Sequence, residues 1–184
     1  MKKSIIKILK AIYYRFHSNY TTEQLCSMGL TIGKNFVRMH GVILDPSHCW
    51  LIEIGDDVGI ASGVHILAHD ASTKMFLGYT RIGRVIIGNK VFIGEDTVIL
   101  PNVKIGNNVV IGANSTVSNN LPDNGVYAGS PAKFICTVED FINKHKLKMQ
   151  TNPVFEKEYL LGEITDIKKK QMKEELKDKC GYII

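Results

Sequence analysis

The 184 residues include 45% hydrophobic but only 8% aromatic side chains, 16 glycines and a formal net charge of +5, which together exclude a packed helical bundle in favour of one repeat-built domain with appendages and a sizeable core. Four scattered cysteines, Cys26, Cys49, Cys136 and Cys180, form no CxxC pair; neither a disulfide framework nor a cysteine metal site is read from them, and a reduced cytoplasmic compartment fits. No apolar run reaches the roughly 18 residues of a membrane span, and basic residues are not interleaved with aromatics as a nucleic-acid surface requires.

The first residues, MKKSIIKILKAIYYRF, begin like a signal peptide, but Lys7 and Lys10 interrupt the apolar run and no small-x-small cleavage site follows. Ile5, Ile6, Leu9, Ile12, Tyr13 and Phe16 fall at helical spacing with lysines on the other faces, so residues 1–30 read as an N-terminal segment led by an amphipathic basic helix. Such a helix covers the open edge of a repeat, or makes weak peripheral contact with an anionic membrane surface. Residues 21–28 read as a short second helix, with Thr21 or Thr22 as N-cap and Gly29 closing it.

Residues 31–135 form the organising element. From Ile87 an aliphatic residue returns every six positions, at Ile87, Ile93, Ile99, Ile105, Ile111 and Val117, and Gly follows four of these six. That period fits short strands joined by tight turns, each needing a small or φ-permissive residue, stacked into a solenoid. Upstream the rhythm is irregular. It starts at Ile32, reaches Leu44 and Asp45, breaks over residues 50–53, and resumes at Ile54 and Ile60. Residues 70–83 then leave the solenoid as a loop immediately after His69. Residues 136–184 read as a polar, helical tail with helices over Asp140–Met149 and Ile164–Leu176.

Local rules break at functional sites, and the segment ILAHDAS, with His69 at the mouth of the loop, is the clearest break. The run and its close, VIGANSTVSNNLPDNGVYAGSPAK, resemble the hexapeptide-repeat acyltransferases, the family of galactoside, maltose and serine O-acetyltransferases, and within it the sugar or capsular-polysaccharide O-acetyltransferases of polysaccharide biosynthesis. The resemblance covers Ile32 to Ile135. It implies an all-β solenoid, a left-handed parallel β-helix with three hexapeptides per coil, and a homotrimer with active sites between subunits.

It also implies acetyl transfer from acetyl-CoA to a hydroxyl of a saccharide or related small acceptor. A sugar hydroxyl needs a base to attack a thioester at neutral pH, and imidazole suits that task. His69 matches the family's catalytic histidine after the repeat Gly63 to Ile66. Asp45 stands at the family's acidic position, where a carboxylate binds acceptor hydroxyls. Loop residues Met75 and Tyr79, with Phe76 and Arg81, are expected to shape the acceptor pocket. Glu95, Ala113 and Ser118 match positions lining the CoA groove, and Lys133 is expected to meet the CoA phosphates. Phe92 replaces a frequent tryptophan. The family's upstream asparagine, an oxyanion donor, has no counterpart among Arg38, Met39 and His40.

No metal is expected at this site. The competing readings are a γ-carbonic-anhydrase-like zinc protein, for which His40, His48, His65 and His69 are the available ligands, an N-acetyltransferase of an amino sugar, and a non-catalytic scaffold.

Overall fold

The structure is a computed structural model that describes residues 20–184, in two compact units, the first ending at Val138 and the second comprising Glu139–Ile184. The amphipathic helix expected in the first residues lies outside the described residues.

The first unit opens with α1 (Thr22–Ser27). Its N-terminus is closed by a capping box in which the Thr21 hydroxyl accepts from the Gln24 N–H and the Gln24 side chain accepts from the Thr21 N–H. Short parallel strands then line three walls. The first wall is β1 (Thr31–Ile32), β4 (Ile52–Ile54), β9 (Val85–Ile87) and β12 (Val103–Ile105). The second is β2 (Val37–Arg38), β5 (Gly59–Ile60), β10 (Val91–Ile93), β13 (Val109–Ile111) and β15 (Gly125–Ala128); the third is β3 (Ile43–Leu44), β6 (His65–Ile66), β11 (Val98–Ile99) and β14 (Thr116–Val117). Ile87, Ile93 and Ile99 belong to successive walls, so three hexads make one coil. The register bears this out, since Val91 pairs with Val109 and Ile99 with Val117.

From β3 to β14 each wall strand ends on an inward aliphatic side chain, and these stack into columns: Ile54, Ile87 and Ile105; Ile60, Ile93 and Ile111; Leu44, Ile66, Ile99 and Val117, all buried; at β2 the position in register with Ile60 is Arg38. Two inward positions are polar. Thr97 and Ser115 both donate to the Gly112 carbonyl, and Ser115 accepts from the Gly129 N–H, so neither is left unpaired.

The corners divide the turn chemistry in a way the spacing alone does not reveal. Outside glycine, the left-handed backbone falls mainly on Asn and Asp, at Asn35, Asp57, Asp96, Asn102, Asn108, Asn114 and Asn124, with Lys90 the one other non-glycine among the described residues, while Gly41 and Gly63 take it at two corners of the first coils; Asn and Asp tolerate that conformation best after glycine. The glycine after the isoleucine serves close approach instead. A Cβ at Gly88 would lie 2.7 Å from the Gly106 carbonyl oxygen of the next coil. A ladder of side-chain acceptors runs up this corner: Asn89 accepts from the Asp56 N–H, Asn107 from the Asn89 N–H, and Asp123 from the Asn107 N–H.

The departures also differ from expectation. The break in register comes earlier than residues 50–53, because β4 already starts at Ile52 and the four extra residues of this coil fall within Pro46–Leu51, ending in a 3-10 turn at Cys49–Leu51. The excursion over 70–83 is an ordered hairpin rather than a plain loop. In it β7 (His69–Asp70) pairs antiparallel with β8 (Arg81–Ile82) around α2 (Lys74–Leu77). The solenoid closes where β15 pairs antiparallel with β16 (Lys133–Thr137).

The second unit holds most of α3 (Val138–Met149) together with α4 (Asp166–Glu175). It also contains a parallel pair, β17 (Val154–Phe155) with β18 (Tyr182–Ile183), around buried Phe155. Strands of two residues leave no periodic signal, which is why this pair is absent from the sequence reading.

Candidate active site

Both irregular segments leave the solenoid at the same corner, where the third wall turns into the first. Asp45 of the first coil lies directly against the second coil there, its N–H donating to the Ile66 carbonyl at 2.9 Å. The insertion Pro46–Leu51 and the hairpin therefore rise side by side, and the notch between them carries the polar cluster.

Asp45 is its centre. The carboxylate is 1% exposed, and four donors converge on it. Oδ1 accepts from the Ser47 hydroxyl at 2.7 Å and the Ser47 N–H at 3.3 Å; Oδ2 accepts from the Ala68 N–H at 2.8 Å and from His69 Nδ1 at 2.6 Å. Burial pushes the Asp45 carboxyl upward, but the hydrogen bonds from Ser47, His69 and Ala68 and the attraction of His69 outweigh it, so the group is held below the ordinary carboxylate range. A carboxylate only accepts, so Nδ1 of His69 carries the proton and the lone pair sits on Nε2. The His69 side chain is 35% exposed, which opens that lone pair to a substrate.

Asp45, expected from the resemblance as a contact for acceptor hydroxyls, is placed by the structure beneath His69. Its oxygens are enclosed and committed to Ser47, Ala68 and His69. Two neighbours of Asp45 complete the corner: Ser47, which the sequence reading did not single out, and His48, which it named only as a ligand of the zinc alternative. The Ser47 oxygen lies 3.4 Å from His69 Nδ1 and 3.2 Å from His48 Nδ1. The His48 ring stacks 5.1 Å from that of His69 and 5.4 Å from that of Trp50. Their signal was available in the segment DPSHCW, which stands where the hexad rhythm fails. Asp45, His48 and His69 are also the one trio among the described residues whose ligand atoms lie close enough for a metal ion, within 4.8 Å of one another. The Ser47 hydroxyl lies among those atoms, and the short contact joins His69 to Asp45, so the trio is built as a hydrogen-bond network.

The other expected residues are distributed along the third wall. Ser118 lies on the same corner as Asp45, three coils further on, through the successive bonds of Asp45 N–H to the Ile66 carbonyl, Leu67 N–H to the Ile99 carbonyl and Leu100 N–H to the Val117 carbonyl. Glu95 and Ala113 stack at the opposite edge of that wall, where the Asn114 N–H bonds the Glu95 carbonyl at 2.7 Å. Lys133 is exposed and follows Ala132, whose N–H bonds the Thr116 carbonyl. Met75 and Tyr79 stand out on the hairpin, 87% and 80% exposed, and are not brought against His69 within one chain. Arg38, Met39 and His40 line a separate cleft of about 330 Å³ with Tyr20 and Thr21. There the Arg38 guanidinium bonds the Tyr20 carbonyl, and burial lowers its pKa.

Comparison with known proteins decides the family. Residues 84–119 match the bacterial transferase hexapeptide (six repeats) family. Protein CapG of Staphylococcus aureus is 39% identical over 150 residues, covering 78% of this chain and 83% of that protein. The chain belongs to the hexapeptide-repeat acyltransferases.

Among solved structures, a maltose O-acetyltransferase from Clostridium difficile 630 is 37% identical with a TM-score of 0.52, over 59% of each chain. A hexapeptide-repeat acetyltransferase from Vibrio cholerae, complexed with acetyl coenzyme A, is 27% identical with a TM-score of 0.52, over 59% of this chain and 60% of that one. The chain thus spans about three-fifths of those two solved chains. With family membership the three-walled solenoid is a left-handed β-helix, the exception to right-handed crossover connections. No helix among the described residues is long and apolar enough to cross a membrane.

Proposed function

We propose that the protein transfers an acetyl group from acetyl-CoA to a hydroxyl of a saccharide, with Nε2 of His69 as general base and Asp45 as the residue that orients it. The observation that carries this reading is the 2.6 Å contact between buried Asp45 and half-exposed His69 in a chain of this family. Nε2 takes the proton of the acceptor hydroxyl as its oxygen attacks the thioester carbonyl carbon. The resulting imidazolium is paired with the Asp45 carboxylate, which remains ionised. The tetrahedral intermediate collapses with cleavage of the C–S bond, and the proton on Nε2 passes to the departing CoA sulfur.

The donor lies along the third wall in this account, between the Ser118 corner and the Glu95 and Ala113 corner, with Lys133 toward the phosphates. Glu95 contributes its backbone there, since its carbonyl is already part of the corner ladder. The solved relative bound to acetyl coenzyme A supports the donor, and the maltose enzyme supports a sugar acceptor.

The same reading makes the protein a homotrimer. The outward row Val37, Phe92 and Val110 on the second wall is in register from coil to coil, and Val37 and Phe92 are more than half exposed. Met75, Phe76, Leu77 and Tyr79 form an apolar hairpin tip that a single chain leaves in water. Packing against a second copy covers both and brings the tip toward a neighbour's notch. Incubation with isotope-labelled acetyl-CoA and a saccharide panel including maltose tests the proposal by mass spectrometry. A labelled product whose acetyl group is released by hydroxylamine is expected. A hydroxylamine-stable product formed only from amino sugars would make this an N-acetyltransferase instead.

A further inference from the structure

An acceptor must be held as well as deprotonated. Asp45 is enclosed, and Met75 and Tyr79 stand away from the base, so neither supplies a holding surface beside His69 in this chain. The insertion does. It presents Trp50, the only tryptophan of the sequence, 53% exposed between buried Cys49 and Ile52. The turn that carries it is fixed from beneath: the Cys49 thiol lies 3.7 Å from both the Leu25 and Met28 carbonyl oxygens. The Trp50 Cβ itself sits 2.8 Å from where a side chain at Gly29 would begin, and Gly29 adopts a φ of +107.

From this anchored indole the rings of His48 and His69 follow in sequence at 5.4 and 5.1 Å, each tilted to the last by 46° and 39°, so a row of three neighbouring rings leads from Trp50 to the base. Its polar end is defined as well. The Ser47 hydroxyl donates to Asp45, so its oxygen can only accept from His48 Nδ1–H; this leaves Nε2 of His48 as a free acceptor.

We propose that Trp50 and His48 form the acceptor subsite, taking a hexopyranose. The electron-rich indole face receives the apolar C–H face of the sugar ring, and His48 Nε2 accepts from one ring hydroxyl. The adjacent hydroxyl is thereby directed at Nε2 of His69. This rests on the reading of the protein as a saccharide acetyltransferase. An open-chain polyol offers the same hydroxyls without a flat C–H face and is discriminated against.

The single tryptophan makes the subsite observable apart from catalysis. Methyl β-D-galactopyranoside and methyl β-D-glucopyranoside serve as probes, galactitol as the open-chain control, and acrylamide quenching reports exposure in the free protein. Trp50 emission is expected to be acrylamide-accessible, to change saturably with a pyranoside, and not to change with galactitol. In steady state, Trp50→Ala is expected to raise KM for the pyranoside about tenfold with KM for acetyl-CoA unchanged, and Trp50→Phe to restore part of the loss. A pyranoside that is acetylated with the same KM by wild type and Trp50→Ala, or that leaves wild-type emission unaltered at saturation, overturns the subsite and leaves the saccharide reading standing. Emission shielded from acrylamide in the free protein also overturns it. Transfer to a non-sugar hydroxyl with no pyranoside turned over overturns both. Should Trp50→Ala fail to fold, the wild-type titration and Trp50→Phe decide.

Discussion

Replacing Asp45 by Asn keeps the shape of the corner and removes only the charge and one pair of acceptor sites. The Ala68 N–H at 2.8 Å cannot rotate away, so the amide oxygen is expected to stay on the Ala68 and His69 side and the amide NH2 to turn toward Ser47. The hydroxyl there can reorient to accept, but the Ser47 N–H loses its partner. His69 keeps its tautomer and loses the anion that stabilises its protonated form. For a pair this close at a partly exposed histidine that loss is about 2–4 kcal/mol, or roughly 30- to 1000-fold in kcat. KM for acetyl-CoA should be unchanged, because the third wall is untouched. The assay is CoA thiol release under saturating donor, with thermal unfolding followed alongside. The variant should unfold at a modestly lower temperature, since the part-buried Ser47 N–H loses its carboxylate acceptor and losing such a hydrogen bond costs about 1 kcal/mol.

The acid range separates charge from shape. Because the native pKa of Asp45 lies below the ordinary carboxylate value, its contribution to stability is complete above about pH 4 and is lost as pH falls through the native value. The stability gap between wild type and Asp45→Asn should therefore narrow below about pH 4. A folded variant whose kcat stays within about threefold of wild type would refute the orienting role assigned to Asp45.

Other substitutions test the scaffold and the donor wall. Asn102→Ala should destabilise by about 1–2 kcal/mol while Asn102→Gly is nearly neutral, because φ there is +66; equal melting temperatures would contradict the corner analysis. Ile105→Ala, at a fully buried column position, should cost about 2–5 kcal/mol in a denaturant titration. Lys133→Ala should raise KM for acetyl-CoA several-fold and spare KM for the acceptor; the reverse pattern would remove Lys133 from the donor site. Wild type should sediment as the proposed trimer and Phe92→Glu as smaller species, and the same trimer for both would exclude the second wall from the interface.

The scaffold was legible in the sequence because its cause is periodic. Each isoleucine fills one position of an inward column, so the spacing of six, and hence the residues of the core, could be read directly. What the spacing hid was the division of labour at the corners. Gly88 appeared to be the φ-permissive residue, whereas the left-handed conformation at that corner belongs to Lys90, as it does to the Asn and Asp, and to Gly41 and Gly63, of other corners, and Gly88 yields room to the next coil. The failure of the rhythm after Leu44 and after Ile66 was visible too, and it located the site. It did not reveal that the two failures share a corner, because residues 22 positions apart meet only once the coil length is known. For that reason Asp45 was read as facing a sugar, although its carboxylate is enclosed beneath His69; Ser47 and Trp50 passed without a role, and His48 was named only as a ligand of the zinc reading. The pair β17 and β18 of the second unit, joining residues 154 and 182, depends on contacts with no local signature at all.

The central claim is that Nε2 of His69 removes the acceptor proton, and His69→Ala tests it most directly when turnover and donor binding are measured on one preparation. The account predicts kcat lowered by about 100-fold or more, with acetyl-CoA binding by calorimetry unchanged. Undiminished transfer to an identified acceptor by that variant would contradict it.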